Sequence, residues 1–131
     1  MTALHWLAAS ALLTAMFWVP YILERMVSLG IMGALRPVGP DDIARQALWA
    51  RRARQGHYNA VENLVIFAVL TLVADGLDKG TDPMLLTAAQ IYFWARAVHF
   101  PAIALGVPFV RTGAFLAGFA AQVMAAVVIF S

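Results

Sequence analysis

Four long apolar segments limit most strongly what this chain can fold into, and they cover about residues 3–23, 59–75, 83–105 and 112–130. The last segment runs from Thr112 to Phe130 without a charged residue. A helix that crosses a bilayer needs about 20 predominantly apolar residues, so the chain has room for four such helices. The sequence therefore predicts an all-α integral membrane four-helix bundle that forms one domain over residues 1–131.

The composition excludes several other classes of protein. Hydrophobic residues make up 63% of the chain and charged residues 12%, whereas soluble domains have about 45–50% apolar and about 25% charged residues. Disorder requires low hydrophobicity, and a disulfide scaffold requires cysteine, which the chain lacks. The nine basic residues are not interleaved with exposed aromatic residues, so no nucleic-acid partner is expected. Without a Glu-x-x-His pair or a cysteine cluster, no metal is expected either.

The basic residues are concentrated in one connection and therefore predict the orientation of the chain. The first connection, about residues 36–58, contains Arg36, Arg45, Arg51, Arg52 and Arg54, whereas the second contains three aspartates and one lysine. Because short arginine-rich loops stay in the cytoplasm, the first connection is expected to be cytoplasmic and both termini non-cytoplasmic. No basic residue precedes the first apolar segment, so we expect a retained span and not a signal peptide.

Helix-capping and helix-breaking residues predict the element boundaries. Asp41 follows a proline- and glycine-rich stretch and is a candidate cap for a second helix that could continue to Ala74. The third helix is expected to begin at Asp82-Pro83 and to end at Gly106. The fourth is expected to begin at Thr112.

Polar residues of the second helix form a candidate binding stripe. At about 100° per residue, the side chains of Arg51, Arg52, Asn59 and Glu62 all lie within about 60° of Gln55. The side chain of Arg54 lies off this stripe. Two interpretations remain open: a solvated helix end in which Glu62 pairs with an arginine, or a cradle for a ligand that carries carboxylates.

The third helix carries a second polar face. Tyr92, Arg96 and His99 are spaced by four and three residues and therefore share one side of the helix. Arg96 could form an interhelical ion pair with Glu62 or bind the ligand. A histidine in such a position is more often a packed, hydrogen-bonded residue than a catalyst, although His99 and Tyr92 are both candidate ligand contacts.

Three blocks of sequence resemble the MAPEG family, the membrane-associated proteins of eicosanoid and glutathione metabolism. RQGHYNAVENLVIF, residues 54–67, resembles the second-helix signature of the family. AQIYFWARAVHFPAIALGVPFVRTGAF, residues 89–115, and VPYILERMVSLGIMGAL, residues 19–35, resemble the third- and fourth-helix signature and the first-helix exit of its bacterial branch. The resemblance covers nearly the whole chain.

The resemblance implies a homotrimer in a bilayer, in the bacterial inner membrane, that binds glutathione as co-substrate between neighbouring subunits near the cytoplasmic side. It implies that Asn59 and Glu62 hold the tripeptide and that Arg111 stabilises the glutathione thiolate. Thr112 stands where some members carry a serine, and Arg96 resembles an arginine of the family's third helix. A free thiol is mostly protonated at neutral pH, and an adjacent arginine favours the reactive thiolate.

The chain departs from the family pattern at two places. Gln55 stands where the family has a second-helix arginine, and the wheel geometry offers Arg51 or Arg52, about one turn away, as its replacement. Ile103 and Ala104 occupy the region where several members carry a tyrosine after the third-helix arginine.

Three functions follow as hypotheses. The first is a glutathione-dependent transferase or peroxidase that acts on a lipophilic small molecule, with Arg111 and Thr112 as catalytic residues. The second is a non-catalytic membrane protein that binds lipid or a partner in the same intersubunit cleft. The third is a proton-coupled exporter. Such exporters rely on an acidic residue in the middle of the first membrane span, whereas Glu24 lies at the end of the first segment of this chain, so this hypothesis is disfavoured.

Overall fold

Six helices make up the chain, and the predicted all-α fold is confirmed in a computed structural model of residues 1–131. They are α1 (Ala3–Met16), α2 (Trp18–Leu35), α3 (Pro40–Arg45), α4 (Leu48–Gly76), α5 (Pro83–Leu105) and α6 (Pro108–Phe130). Helices α1 and α2 run one after the other. Together with α4, α5 and α6 they form the four columns of a bundle, and the short α3 lies in the first connection.

The first column is interrupted at Phe17, between α1 and α2. Pro20 has no amide proton, so the carbonyl four residues earlier, that of Met16, cannot receive its usual helical hydrogen bond. Met16 is the last residue of α1. The first column is therefore interrupted about one turn before this proline.

The second helix does not run unbroken from Asp41 to Ala74, and this prediction is wrong. Gly39 caps the six-residue α3, and the Asp42 carboxylate accepts its amide proton at 3.1 Å. Gln46 and Ala47 then adopt extended backbone angles before α4 begins. The Glu24 carboxylate accepts the Ala47 amide at 3.0 Å, so a side chain from α2 satisfies an amide at the start of α4.

The caps predicted for the third helix are confirmed. Asp82 caps α5 by accepting the amides of Met84 and Leu85, with Pro83 in the first turn. Gly106 ends α5 in the left-handed conformation, with φ of 72°, which glycine adopts without a steric penalty. Helix α6 then begins at Pro108, four residues before the predicted start, because proline suits the first turn of a helix.

Helix α5 lies at the centre and packs against α1, α4 and α6. Its buried face is mostly alanine, so neighbouring helices approach closely. At one end of the bundle, the amino end of α1, the carboxyl ends of α4 and α6 and the amino end of α5 form a core that includes Ala3, Phe67, Leu85 and Val128. The Lys79 ammonium donates to the carbonyl of Val128 at 2.9 Å and closes this end of α6.

Three helical columns are long and apolar enough to cross a membrane: Ala3–Leu35, Leu48–Gly76 and Pro108–Phe130. Helix α5 is long enough to cross a membrane but is less apolar than these three columns. It carries Gln90, Arg96 and His99, and two of these side chains are buried among the other helices. Arg96 and His99 of the central helix are therefore enclosed by protein, while the outer columns present apolar side chains.

Candidate functional site

An open cavity beside the amino half of α4 is the most strongly cationic concave surface of the protein. Its volume is about 560 Å³, within the range of about 300–1,000 Å³ typical of small-molecule sites. No acidic residue lines it. The lining residues are Ile43, Gln46, Leu48, Arg51, Arg52, Arg54, Gln55 and Tyr58. The predicted stripe residues Arg51, Arg52 and Gln55 are therefore brought together around one cavity.

The three arginines of this cavity differ in their contacts. The guanidinium group of Arg52 lies so close to Gly106 that a Cβ there would overlap it, so this side chain packs against the carboxyl end of α5. Arg54 donates from Nε to the Tyr58 hydroxyl at 3.2 Å and lies over the Tyr58 ring. Arg51 has a buried Nε without a hydrogen-bond partner. Arg51 is therefore the arginine with an unused buried donor.

Arg54 lies off the binding stripe by helical angle, but its side chain lines the cavity. A wheel of ideal angles locates the Cβ atom, whereas a long arginine side chain can swing its guanidinium group toward a neighbouring face. The tyrosine one turn later on α4 holds Arg54 toward the cavity. Arg54 and Tyr58 are four residues apart, and this spacing in the sequence could have predicted their contact.

A smaller cavity of about 290 Å³ adjoins the first and extends the cationic surface toward α2. The two cavities share Gln46, Arg54 and Tyr58. The smaller one adds Arg25 and Tyr21 from α2. The cationic surface is thus formed by two helices and the connection between them.

A buried cluster around Arg96 connects α4, α5 and α6. Arg96 is 1% exposed, and its Nη1 donates to the Asn59 side-chain oxygen at 3.3 Å. Its guanidinium carbon lies 5.2 Å from the Tyr92 ring centroid and 5.8 Å from that of Phe115. On the α6 side it lies against Gly118, where a Cβ would overlap it. Aromatic faces and one amide thus surround a cation inside the bundle.

Some polar groups of this cluster have no partner within the chain. They are the Nε and Nη2 atoms of Arg96 and the hydroxyl of Tyr92, which is fully buried against Phe67 with ring centroids 4.0 Å apart. Buried polar groups are normally hydrogen-bonded. The cluster therefore retains hydrogen-bonding capacity within an otherwise apolar bundle.

Two further residues belong to the polar network, and one of them, Gln122, was not predicted from the sequence. Asn63 donates from its side chain to the Asn59 carbonyl at 2.8 Å, and Gln122 of α6 donates to the Asn63 side chain at 3.3 Å. Gln122 is the only amide side chain in α6. A polar residue within an apolar helix usually faces a partner, and this signal was available.

The ion pair between Arg96 and Glu62, one of the two alternatives that the sequence leaves open, does not form within the single subunit. Arg96 contacts Asn59 instead, and Glu62 is exposed on α4 without an ion-pair partner. Asn59 lies one turn closer to the amino end of α4 than Glu62, so it is the α4 side chain that reaches Arg96. Glu62 faces away from the bundle among exposed apolar side chains, such as Val65 and Ile66.

His99 is a packed residue, which agrees with the more common role of such a histidine. It is 3% exposed, and its ring centroid lies 6.1 Å from that of Phe115. Arg111 and Thr112 are both exposed in the first turns of α6. Neither residue lines the arginine-rich cavity. Within one subunit, Arg111 and Thr112 therefore do not share a site with Arg51.

The largest concave surface is an apolar groove between α5 and α6. It has a volume of about 790 Å³ and is lined mainly by apolar residues, with Trp6 and Trp94 on its walls and Gln90 at its edge. A second apolar depression of about 310 Å³ shares Val98 and Val110 with it. The groove suits a lipophilic molecule and does not overlap the arginine-rich cavity.

Comparison with known proteins gives one match. The family model described as "MAPEG family" matches residues 3–131, which is almost the entire chain. No curated protein and no solved structure matches the chain.

Proposed function

The chain belongs to the MAPEG family, and we propose that it is a membrane-bound glutathione-dependent transferase or peroxidase that conjugates or reduces lipophilic electrophiles. The arginine-lined cavity carries this proposal. Glutathione has two carboxylates, one ammonium and one thiol, and guanidinium groups bind carboxylates through paired hydrogen bonds. A cavity with three arginines and no acidic lining suits such a ligand.

Within this proposal Arg51 replaces the arginine that the family carries at the position of Gln55. Arg52 is engaged with the end of α5, and Arg54 is held by Tyr58. Among these three arginines, only Arg51 keeps a buried donor without a partner. An anionic ligand would satisfy that donor, and the loss of an unsatisfied polar group strengthens binding.

The thiol would react near Arg111, which lies in the first turn and a half of α6. A cation there and the positive end of the α6 dipole both favour the thiolate over the thiol. Because Arg111 does not line the cavity of its own subunit, the proposal places it, with Thr112, beside the cavity of a neighbouring copy. A homotrimer with intersubunit sites provides that arrangement.

In this proposal the lipophilic co-substrate binds in the apolar groove between α5 and α6. The thiolate attacks an electrophilic carbon and displaces its leaving group to form a thioether. Alternatively, it attacks a peroxide oxygen, the O–O bond breaks, an alcohol leaves, and the sulfenic acid that results reacts with a second glutathione to give the disulfide and water. The co-substrate reaches the sulfur from the bilayer. A groove that opens between α5 and α6 is consistent with such a route.

Calorimetry on the detergent-solubilised protein tests the proposal. Titrated glutathione should bind saturably, and Arg51→Ala should weaken binding about tenfold or more, as expected for a lost charged hydrogen bond. Arg45→Ala is the matched control, because Arg45 is exposed on α3 and does not line the cavity. Absence of saturable binding by the intact protein, or equal losses in the two variants, would refute the proposal.

A non-catalytic lipid-binding protein is the second candidate, and the apolar groove favours it. The groove of about 790 Å³ needs no glutathione to accept an acyl chain. A conjugation assay with a small aromatic halide separates the two candidates. Retention of a co-purified lipid together with no turnover and no glutathione binding would favour the second candidate.

A further inference from the structure

The carboxyl half of α2, residues 26–35, is an apolar hairpin in which most of the large side chains are exposed. Helix α2 has no buried residue. The exposed fractions of Val27, Ile31, Met32 and Leu35 lie between 63% and 87%. Large apolar side chains exposed together, and not singly, mark a surface that contacts something.

The hairpin has a defined shape. Gly30 has φ of 74° and ψ of 167°, which breaks the helix and turns the chain. Arg25 then donates from Nη2 to the Arg36 carbonyl at 2.7 Å and to the Gly33 carbonyl at 3.4 Å. A straight helix would separate Arg25 from Arg36 by about 16 Å, farther than an arginine side chain reaches. The two ends of the hairpin are therefore tied together.

The charges around the hairpin are positive. Residues 26–40 contain no acidic residue, and residues 24–58 contain six arginines against one glutamate and two aspartates. The glutamate, Glu24, accepts a hydrogen bond from the Ser28 hydroxyl of the hairpin. One of those aspartates, Asp42, already pairs with Arg36 at 2.6 Å. The same surface on a second copy would carry the same positive charge, and like charges oppose association.

We propose that the apolar hairpin inserts its side chains into the surface of an anionic bilayer leaflet, with the exposed Arg36 and Arg45 on lipid headgroups. Apolar side chains next to a cationic rim are the combination that holds a segment in the interfacial region. This role is independent of glutathione binding. The hairpin anchors the arginine-rich end of the bundle to the leaflet that borders the candidate binding cavity.

Spin labelling of the full-length protein tests the proposal. Since the chain has no cysteine, Met32→Cys introduces a single attachment site for a nitroxide, and Val27→Cys gives a second position should the first variant fail to fold. The labelled protein is reconstituted in phosphatidylcholine–phosphatidylglycerol vesicles. Collisions with oxygen, which concentrates in the bilayer, are compared with collisions with a neutral water-soluble nickel chelate.

Two control positions set the scale. Leu12→Cys probes an exposed residue of α1 within a candidate span, and Asp41→Cys probes an exposed polar residue of α3. At residue 32 the ratio of oxygen to nickel collisions should exceed that at residue 41 several-fold and approach that at residue 12. The ratio should fall when phosphatidylglycerol is omitted.

Three results would overturn the proposal. A ratio at residue 32 like that at residue 41 would mean that the hairpin lies in water. Low collision rates with both reagents, together with spin–spin broadening that disappears on dilution with unlabelled protein, would mean that a second copy covers it. An unchanged ratio without phosphatidylglycerol would remove the role assigned to the arginines.

Discussion

Substitution of Gly118 by alanine should destabilise the bundle through Arg96. A Cβ at Gly118 would lie 2.9 Å from the guanidinium carbon of Arg96 and 3.0 Å from its Nε, and it would overlap Nη2. Arg96 is 1% exposed, and the rings of Tyr92 and Phe115 confine it on two sides. The guanidinium group cannot withdraw without breaking its hydrogen bond to Asn59.

The expected magnitude follows from three contributions. Overpacking a tight interior costs about 1–3 kcal/mol, and loss of a hydrogen bond to a charged group costs about 1.5–3 kcal/mol. Alanine gains about 1 kcal/mol over glycine in a helix. If the hydrogen bond to Asn59 is lost, the net destabilisation is about 0.5–2 kcal/mol, which lowers the unfolding midpoint by about 2–8 °C at roughly 4 °C per kcal/mol.

Gly113→Ala is the matched control, because it lies on the same helix and a Cβ there meets nothing within 4 Å. It should leave the midpoint unchanged or raise it. Thermal unfolding in detergent, followed by circular dichroism, measures both variants. In an Arg96→Met background the cost of Gly118→Ala should disappear, since the guanidinium group is gone. A Gly118→Ala midpoint equal to or above that of the unmodified protein, or the same loss in both backgrounds, would refute the reasoning.

Three further outcomes are expected. Gly106→Ala should lower the unfolding midpoint, because alanine is strained at φ of 72° and its Cβ would overlap the guanidinium group of Arg52; thermal unfolding measures this. Arg111→Ala should lower kcat of the conjugation reaction more than glutathione affinity, because its contact strengthens when the thiolate forms; steady-state kinetics and calorimetry separate the two. A reporter fused after Ser131 should be exported, because the arginine-rich first connection predicts non-cytoplasmic termini.

Each of these outcomes has a result that contradicts it. An unchanged midpoint for Gly106→Ala would mean that the turn between α5 and α6 tolerates a side chain. Equal losses of turnover and affinity in Arg111→Ala would assign Arg111 to ground-state binding. A cytoplasmic reporter signal after Ser131 would invert the predicted orientation.

Most of the helical architecture could be predicted because its signals are local. Asp82 and Pro83 begin α5 and Gly106 ends it, as expected from capping preferences that depend on a few neighbouring residues. The break at Gln46 and Ala47 could not be predicted in this way. It accompanies a hydrogen bond from the Ala47 amide to Glu24, which lies 23 residues away in the chain.

The candidate site was predictable to a smaller degree, because side-chain direction depends on neighbours from other helices. The helical wheel correctly grouped Arg51 and Arg52 at one cavity but excluded Arg54, which Tyr58 turns toward it. Charge complementarity suggested a pair between Arg96 and Glu62, whereas the arginine contacts Asn59. Which side chain of α4 faces Arg96 depends on the axial register of α4 against α5. The spacing of residues within one helix does not determine this register.

The central position of α5 has a consequence for how the protein is made. An arginine or histidine in mid-membrane opposes entry of an isolated helix from the translocon into lipid. Helix α5, which carries Arg96 and His99, has lower hydropathy than the columns around it, and α6 is the most closely packed of its neighbours. We therefore expect α5 to leave the translocon together with α6 and to pack against α4, which has already been inserted. Insertion of α5 would then depend on its contacts with other helices and not on its own hydropathy.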